Sequence, residues 1–226
     1  MAAMTDTWST VSSLATGAGT LVLAVATFAS VRSANRSARV AEQALQVQRR
    51  PLLVHSRLED PDQKIMFADG RWLHVPGSGA AAEHENGNVY LALSLRNVGL
   101  GIAVLQRWHV RPALQFGRVP PAAVEDMRLQ SRDLYVPGGD IGLWQGAIRD
   151  SSDPLHDDVA RAIDSRSPLT VELLYSDQEG GQAMISRFSV VPVGEDRWIG
   201  SVGRHWYLDR DSPRESARDD APIPAA

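Results

Sequence analysis

The sequence predicts a mainly β protein on a helical anchor: an N-terminal transmembrane helix, a juxtamembrane α-helix, and an antiparallel β-sandwich carrying one short helix. Three observations predict it. Thr7 to Val31 is a run of 25 residues without a charged side chain. Arg32 to Arg50 contains good helix formers and neither Gly nor Pro. From Pro51 onward the apolar period changes to two, with turn signals at short intervals. The boundaries that follow are 7–31 for the span, 32–50 for a helical stalk, 51–209 for the sandwich and 210–226 for a tail. That tail, rich in Asp, Arg, Ser and Pro, is expected to be disordered.

A spanning helix needs roughly 20 mainly apolar residues to cross about 30 Å of hydrocarbon, and Val11 to Val31 supplies 21. Ser12, Ser13, Thr16 and Thr20 dilute its first half, but a helical Ser or Thr can return its hydroxyl to a backbone carbonyl. Secretory signals carry positive charge before the apolar run. Here no Lys or Arg precedes Arg32, whereas Arg32, Arg36, Arg39, Arg49 and Arg50 follow. The positive-inside bias therefore predicts an uncleaved single-pass anchor in a bacterial inner membrane, with its N-terminus outside and its C-terminal domain in the cytoplasm. Ser12, Thr16, Thr20 and Ala24 form a ridge of small residues of the kind that lets two membrane helices self-associate.

The arginine segment reads as a helix that Pro51 ends. Ala34, Ala38, Ala41 and Leu45 share a face, which fits a short coiled coil, an arm on anionic lipid or a solvated stalk. Charge is divided along the chain: residues 1–50 are net +3 and residues 51–226 net −7, for a total of −4. An acidic domain is a poor partner for nucleic acid, whose phosphates demand clustered Lys and Arg. With no cysteine in the chain, disulfides, thiolate zinc sites and cysteine nucleophiles are excluded.

Within the domain, Leu52 to Leu58 reads as a first strand, and Lys64 to Val75 as a hairpin turning at Asp69-Gly70. Pro76 to Asn88, rich in Gly and Ala, reads as loop. Val89, Leu91, Leu93 and Leu95 alternate as a half-buried strand. After the Asn97–Gly101 turn, Ile102 to Arg111 returns with Val104, Trp108 and Val110 inward. Pro112 to Arg132 reads as an irregular connection with a helical turn near Ala122 to Leu129. Short strands are expected at Leu134 to Val136 and Ile141 to Arg149. Asp153-Pro154 starts a helix from Leu155 to about Ser165, with Asp157 and Asp158 favoured in its first turn by the helix dipole. Leu169 to Tyr175, Met184 to Val190 and Trp198 to Leu208 complete the sheet. Two stacked sheets would bury Trp108, Phe188 and Trp206 together.

This layout includes Arg49-Arg50-Pro51, the Asn97-Val98-Gly99-x-Gly101-x-Ala103 turn and the Tyr175-Ser176-Asp177-x-x-Gly180 hairpin. It resembles uncharacterised single-pass bacterial membrane proteins that carry an immunoglobulin-like β-sandwich. The resemblance implies fold and topology and brings no active site with it.

The chemistry-bearing motifs are missing: there is no phosphate-cradling Gly-x-x-x-x-Gly-Lys loop, no Gly-x-Ser-x-Gly elbow and no His-Glu-x-x-His pair. Asp153, His156 and Asp157 have metal-ligand chemistry, but a helix start explains them, and no cofactor, metal or catalytic residue is assigned. His84, His109 and His205 read as surface histidines. Arg107, His109 and Arg111 share one strand face, a binding face for an acidic partner or a lipid headgroup. The function expected is a non-enzymatic, membrane-anchored module for protein interaction or scaffolding, in contact with the bilayer and a protein partner. The alternatives are an envelope-facing ligand-binding sandwich, or a metal-dependent hydrolase whose groups meet only in three dimensions.

Overall fold

A computed structural model of the chain describes residues 20, 21, 23–42, 44, 49–115 and 119–210. The chain divides into two compact units, Met1–Val47 and Gln48–Ala226. Described residues 20, 21, 23–42 and 44 of the first unit are helical and are called α1. Thr27 and Ser30 return their hydroxyls to the Leu23 and Ala26 carbonyls, each at 2.8 Å. Among the described residues no helix is long and apolar enough to cross a membrane. Residues 7–19 and 22 of the expected span, Ser12 and Thr16 of the small-residue ridge, and 211–226 of the expected tail lie outside the described residues.

The second unit is mainly β, and among the described residues its strand pairs are antiparallel. Its strands are β1 (Leu53–His55), β2 (Gln63–Met66), β3 (Trp72–Val75), β4 (Gly79–Glu85), β5 (Asn88–Asn97), β6 (Ala103–Arg111), β7 (Arg128–Val136), β8 (Ile141–Ile148), β9 (Leu169–Ser176), β10 (Met184–Val193) and β11 (Arg197–Tyr207). One helix, α2 (His156–Asp164), lies between β8 and β9. Nine strands are hydrogen-bonded into one curled sheet: β8 pairs β5, β5 also pairs β4 and β1, and the sheet continues through β11, β10, β9 and β6 to β7. The curl returns β7 to the side of β8. Across that seam Gln130 Nε2 donates to the Gln145 carbonyl at 2.9 Å and Trp144 Nε1 donates to Gln130 Oε1 at 3.1 Å.

The inside of the curl is the main core, with Leu91, Leu93, Leu95, Val171, Leu173, Phe188 and the Trp108–Trp144 pair. Those two indoles meet edge-on at 5.4 Å between centroids. Gly146 leaves room for both rings, since a Cβ there would reach Trp144 and Trp108. Helix α2 contributes Val159, Ala160, Ala162 and Ile163 to this core. Outside the curl, the two-stranded β2–β3 sheet lays Ile65, Phe67, Leu73 and Val75 on Ala81, Tyr90 and Ala92. On another outer face, Ala122 and Met127 cover Leu174, Ile185 and Trp206.

Several sequence expectations are corrected. The segment taken as loop contains β4, whose Ala80 and Ala82 face the main core while Ala81 lies under the β2–β3 sheet. Small side chains lower strand propensity, yet a strand covered on both faces has room for them. Strand β7 begins at Arg128, and the helical turn expected before it is one 3-10 turn, Val124–Asp126. In β6 the register shifts between Leu105 and Arg107. Ala103 and Leu105 are therefore buried ahead of Trp108 and Val110, and Val104 is only half-buried. In β10–β11, Arg187 pairs Arg204 but Phe188 pairs Val202. The extra residue, Gly203, reverses the alternation. It turns Trp206 to the outer face and brings His205, expected outside, beside Ser186.

Candidate functional site: the rim where the chain joins the β domain

Antiparallel register gathers the start of β1, the end of β5 and start of β6, the end of β7 and start of β8, the end of β9 and start of β10, and the end of β11 at one rim of the curl. The chain arrives there through Arg49–Leu52. Asn97, fully buried, organises the rim with all its side-chain capacity. Its Oδ1 accepts the Leu52 and Gly99 amides, each at 3.0 Å. Its Nδ2 donates to the Gly101 carbonyl at 2.6 Å and the Val136 carbonyl at 3.0 Å. The glycines of this turn are required by close approach: a Cβ on Gly99 would overlap the Arg50 carbonyl oxygen, and one on Gly101 the Arg49 carbonyl oxygen. The arginine-proline segment and the glycine turn, 50 residues apart in sequence, thus form one joint.

A hydrogen-bonded chain fixes the next residue. The Leu53 amide donates to Tyr175 Oη at 3.1 Å, Tyr175 Oη lies 2.8 Å from Ser186 Oγ, and Ser186 Oγ lies 2.7 Å from His205 Nδ1. Burial pushes Tyr175 up to about 12 and holds His205 below its ordinary value; both shifts favour the neutral forms, in which the chain runs donor to acceptor without a charge. A serine against a histidine has the look of nucleophile and base. Ser186, however, has no exposed surface and is already bonded to Tyr175, which leaves it a structural link. At the same rim Arg50 grips Asp209 with two hydrogen bonds of 2.9 and 2.5 Å and lies over the Tyr207 ring. Asp209 is held below the usual carboxylate range, chiefly by that guanidinium. Arg49 approaches Glu179 at 3.7 Å. Large apolar side chains nevertheless remain exposed here: Val98, Leu100, Ile102, Tyr135 and Leu208.

Arg107, His109 and Arg111 lie on an outer face that is partly covered. Arg107 donates to the Val124 and Met127 carbonyls at 3.3 and 3.1 Å. His109 sits across from Glu172, and burial, followed by the charge of Arg111, holds its pKa down. Glu172 in turn faces Arg187, which faces Arg204, so one polar row crosses four strands. Arg187 donates to the Val119 and Pro120 carbonyls at 3.0 and 2.9 Å, while Glu172 accepts the Ala122 amide at 2.8 Å. The row holds the preceding connection against the sheet. Sequence reasoning missed it because Glu172 and Arg187 lie inside strands read only for their apolar alternation.

Asp153, His156 and Asp157 do not converge. Asp153 binds Arg128 and caps the Leu155 amide, whereas His156 lies 2.9 Å from both Asp157 Oδ1 and the Gly87 carbonyl. Among the described residues no three His, Cys, Asp or Glu side chains are placed to hold a metal ion. A cavity of about 460 Å³ beside the tip of the β2–β3 hairpin is lined by Met66, Phe67, Arg132 and Arg149 among others. Its arginines are engaged, Arg149 with Asp69 and Arg132 with the Met66 carbonyl. Arg32, Arg36 and Arg39 lie exposed on α1. Compared with known proteins, the chain matches no family model, no curated protein and no solved structure.

Proposed function

We propose that this protein is a membrane-anchored interaction module, with the β domain held on the cytoplasmic side of a bacterial inner membrane. The observation that carries the reading is the character of α1. Leu21, Leu23, Val25, Phe28 and Val31 are exposed around the helix, and Arg32, Arg36 and Arg39 follow immediately. The uncharged part of α1, described residues 20, 21 and 23–31, exposes apolar side chains on more than one side, which is what lipid accommodates. Thr27 and Ser30, bonded within the helix, carry no unmet hydroxyl into that environment. The arginines set the direction, because the positive flank stays inside.

The immunoglobulin-like sandwich is the architectural half of the proposal. What supports it is a single core of interleaved side chains inside the antiparallel curl, where Trp108 of β6 and Trp144 of β8 meet on either side of β7. Interaction with a protein partner is favoured over chemistry because these buried polar groups are spent inside the fold: Asn97 on backbone, Glu172 on Arg187, Ser186 on Tyr175 and His205.

Two C-terminal reporters in intact bacteria test the reading, one fluorescent only in the cytoplasm and one active only beyond the inner membrane. Fluorescence with a membrane-retained chain supports it. Activity outside replaces it with an envelope-facing ligand-binding domain, and a chain recovered in the soluble fraction ends the anchor reading.

A further inference from the structure

We infer that the gap between β7 and β8 receives an extended peptide of a partner protein as an added strand, paired to the β8 edge. The inference rests on the interaction-module reading above and gives it a place and a kind of partner. Three observations carry it.

Three strand edges converge without a neighbouring strand. Among the described residues β7 pairs only β6, β8 pairs only β5 and β2 pairs only β3. The cavity of about 460 Å³ lies where they meet, with Met66 from β2, Arg132 from β7, and Gln145 and Ala147 from β8 in its lining. Unpaired edges are templates for another chain unless a helix or loop covers them.

The gap is bridged by a side chain instead of a ladder. Gln130 reaches from β7 to the Gln145 carbonyl, Nε2 to O at 2.9 Å, so the two backbones stand further apart than the about 4.8 Å of paired strands. That carbonyl points from β8 toward β7. Backbone groups of alternate residues point the same way in an antiparallel strand, so the Ala147 N–H and C=O also face the gap and turn away from Tyr90, their register neighbour on β5. The tip of the β2–β3 hairpin and β7 flank this edge. A lone extended chain can lie along it, whereas the edge strand of a second curled sheet would meet both flanks.

The lining also selects side chains. It carries Arg132 and Arg149 and no acidic residue. Arg149 is paired with Asp69, but Arg132 donates to the Met66 carbonyl and has no carboxylate partner among the described residues. An acidic side chain of the peptide complements it. Met66 and its cross-strand neighbour Trp72, 46 and 56% exposed, offer apolar surface to a flanking residue. Backbone pairing for affinity and side-chain contacts for choice are how strand addition recognises a peptide.

The full chain, purified in detergent, is panned against a displayed library of random dodecapeptides, and enriched peptides are synthesised with a fluorophore for anisotropy titration. The expected peptides carry an acidic residue. N-methylation of one alternating set of their amides is expected to weaken binding about tenfold or more, and methylation of the other set far less, because only one set faces β8. Ala147→Pro, which removes the N–H facing the gap, is expected to weaken binding similarly, and Arg132→Glu to abolish the preference for acid. The methylated peptides leave the protein untouched, so they decide the matter even where the proline variant does not fold. No enriched peptide, or binding indifferent to both methylated sets, overturns the added strand and leaves the anchor reading standing. A chain that stays soluble without detergent ends the anchor reading while the peptide result still holds. A dimer that Ala147→Pro splits, or a synthetic 211–226 peptide that displaces the library peptides, overturns the partner in favour of a second copy or of the chain's own end.

Discussion

Arg187 and Glu172 face each other from adjacent strands, Nε to Oε1 at 2.7 Å, with side chains 3 and 0% exposed. Removing one partner leaves a charge sealed from water, and such breaks cost about 3–5 kcal/mol. Glu172→Met and Arg187→Met are each expected to lower unfolding free energy by that order in urea titration. Glu172→Met combined with Arg187→Met is expected to cost less than the two single changes together, because no unpaired charge remains. The double variant stays below wild type, since Val119 and Pro120 lose their donor. Simple additivity would refute the pairing.

Asn97 makes its four bonds to four different backbone groups. Asn97→Ala leaves buried amides and carbonyls unmet and is expected to cost about 2–4 kcal/mol. Asn97→Asp keeps the acceptor for Leu52 and Gly99 but loses both donors, so it is not a conservative replacement. Thermal denaturation followed by tryptophan fluorescence checks both variants; an unchanged midpoint for either would show that the joint does not depend on this side chain.

Two glycines separate overlap from strain. Gly101→Ala drives a Cβ into the Arg49 carbonyl oxygen and is expected to cost about 1–3 kcal/mol, because backbone on both sides must move. Gly70 has φ +83° and open space around it, so Gly70→Ala is expected to cost about 1 kcal/mol from the left-handed backbone alone. Reversal of that order in denaturant titration would count against the fit of the arginine segment to the turn.

His156 gives a pH signature. Both its ring nitrogens face acceptors, Asp157 Oδ1 and the Gly87 carbonyl, so the protonated ring is the one that fits. Asp157 first and Gly87 second raise its pKa above the ordinary 6.5. The stabilisation is therefore full below that value and is lost as pH rises through the higher folded one. His109 and His205, held low by burial, act oppositely: their contribution is present above 6.5 and is lost as pH falls. The stability gap between wild type and His156→Gln is expected to shrink as pH rises from slightly acidic to alkaline. A gap independent of pH would mean that the ring is neutral in the fold.

Local signals carried much of the fold. Period-two alternation placed β5, β9 and β10, because a strand with a covered face repeats every second residue. Asp69-Gly70 marked the β2–β3 turn, and Asp153 with the acids after it marked the start of α2. β4 was illegible because its alanines give no pattern, and the phases of Val104, His205 and Trp206 were misplaced by single-residue register shifts that no local pattern announces. The candidate rim was legible only in pieces. Arg49-Arg50-Pro51, the Asn97–Gly101 turn and Tyr175 were each visible as motifs, but nothing local said that they touch.

By itself the sequence determined the uncharged stretch from Thr7 to Val31, the arginines after it, the β character from Pro51 onward and the absence of cysteine chemistry, since these depend on composition and short-range period. Only the tertiary structure decided that the sheet curls so that β7 returns to β8, that Glu172 is buried against Arg187, and that Asn97 binds the incoming chain. Those facts depend on which strands pair and in what register. Pairing is settled by long-range burial and hydrogen bonding, which no window of neighbouring residues contains.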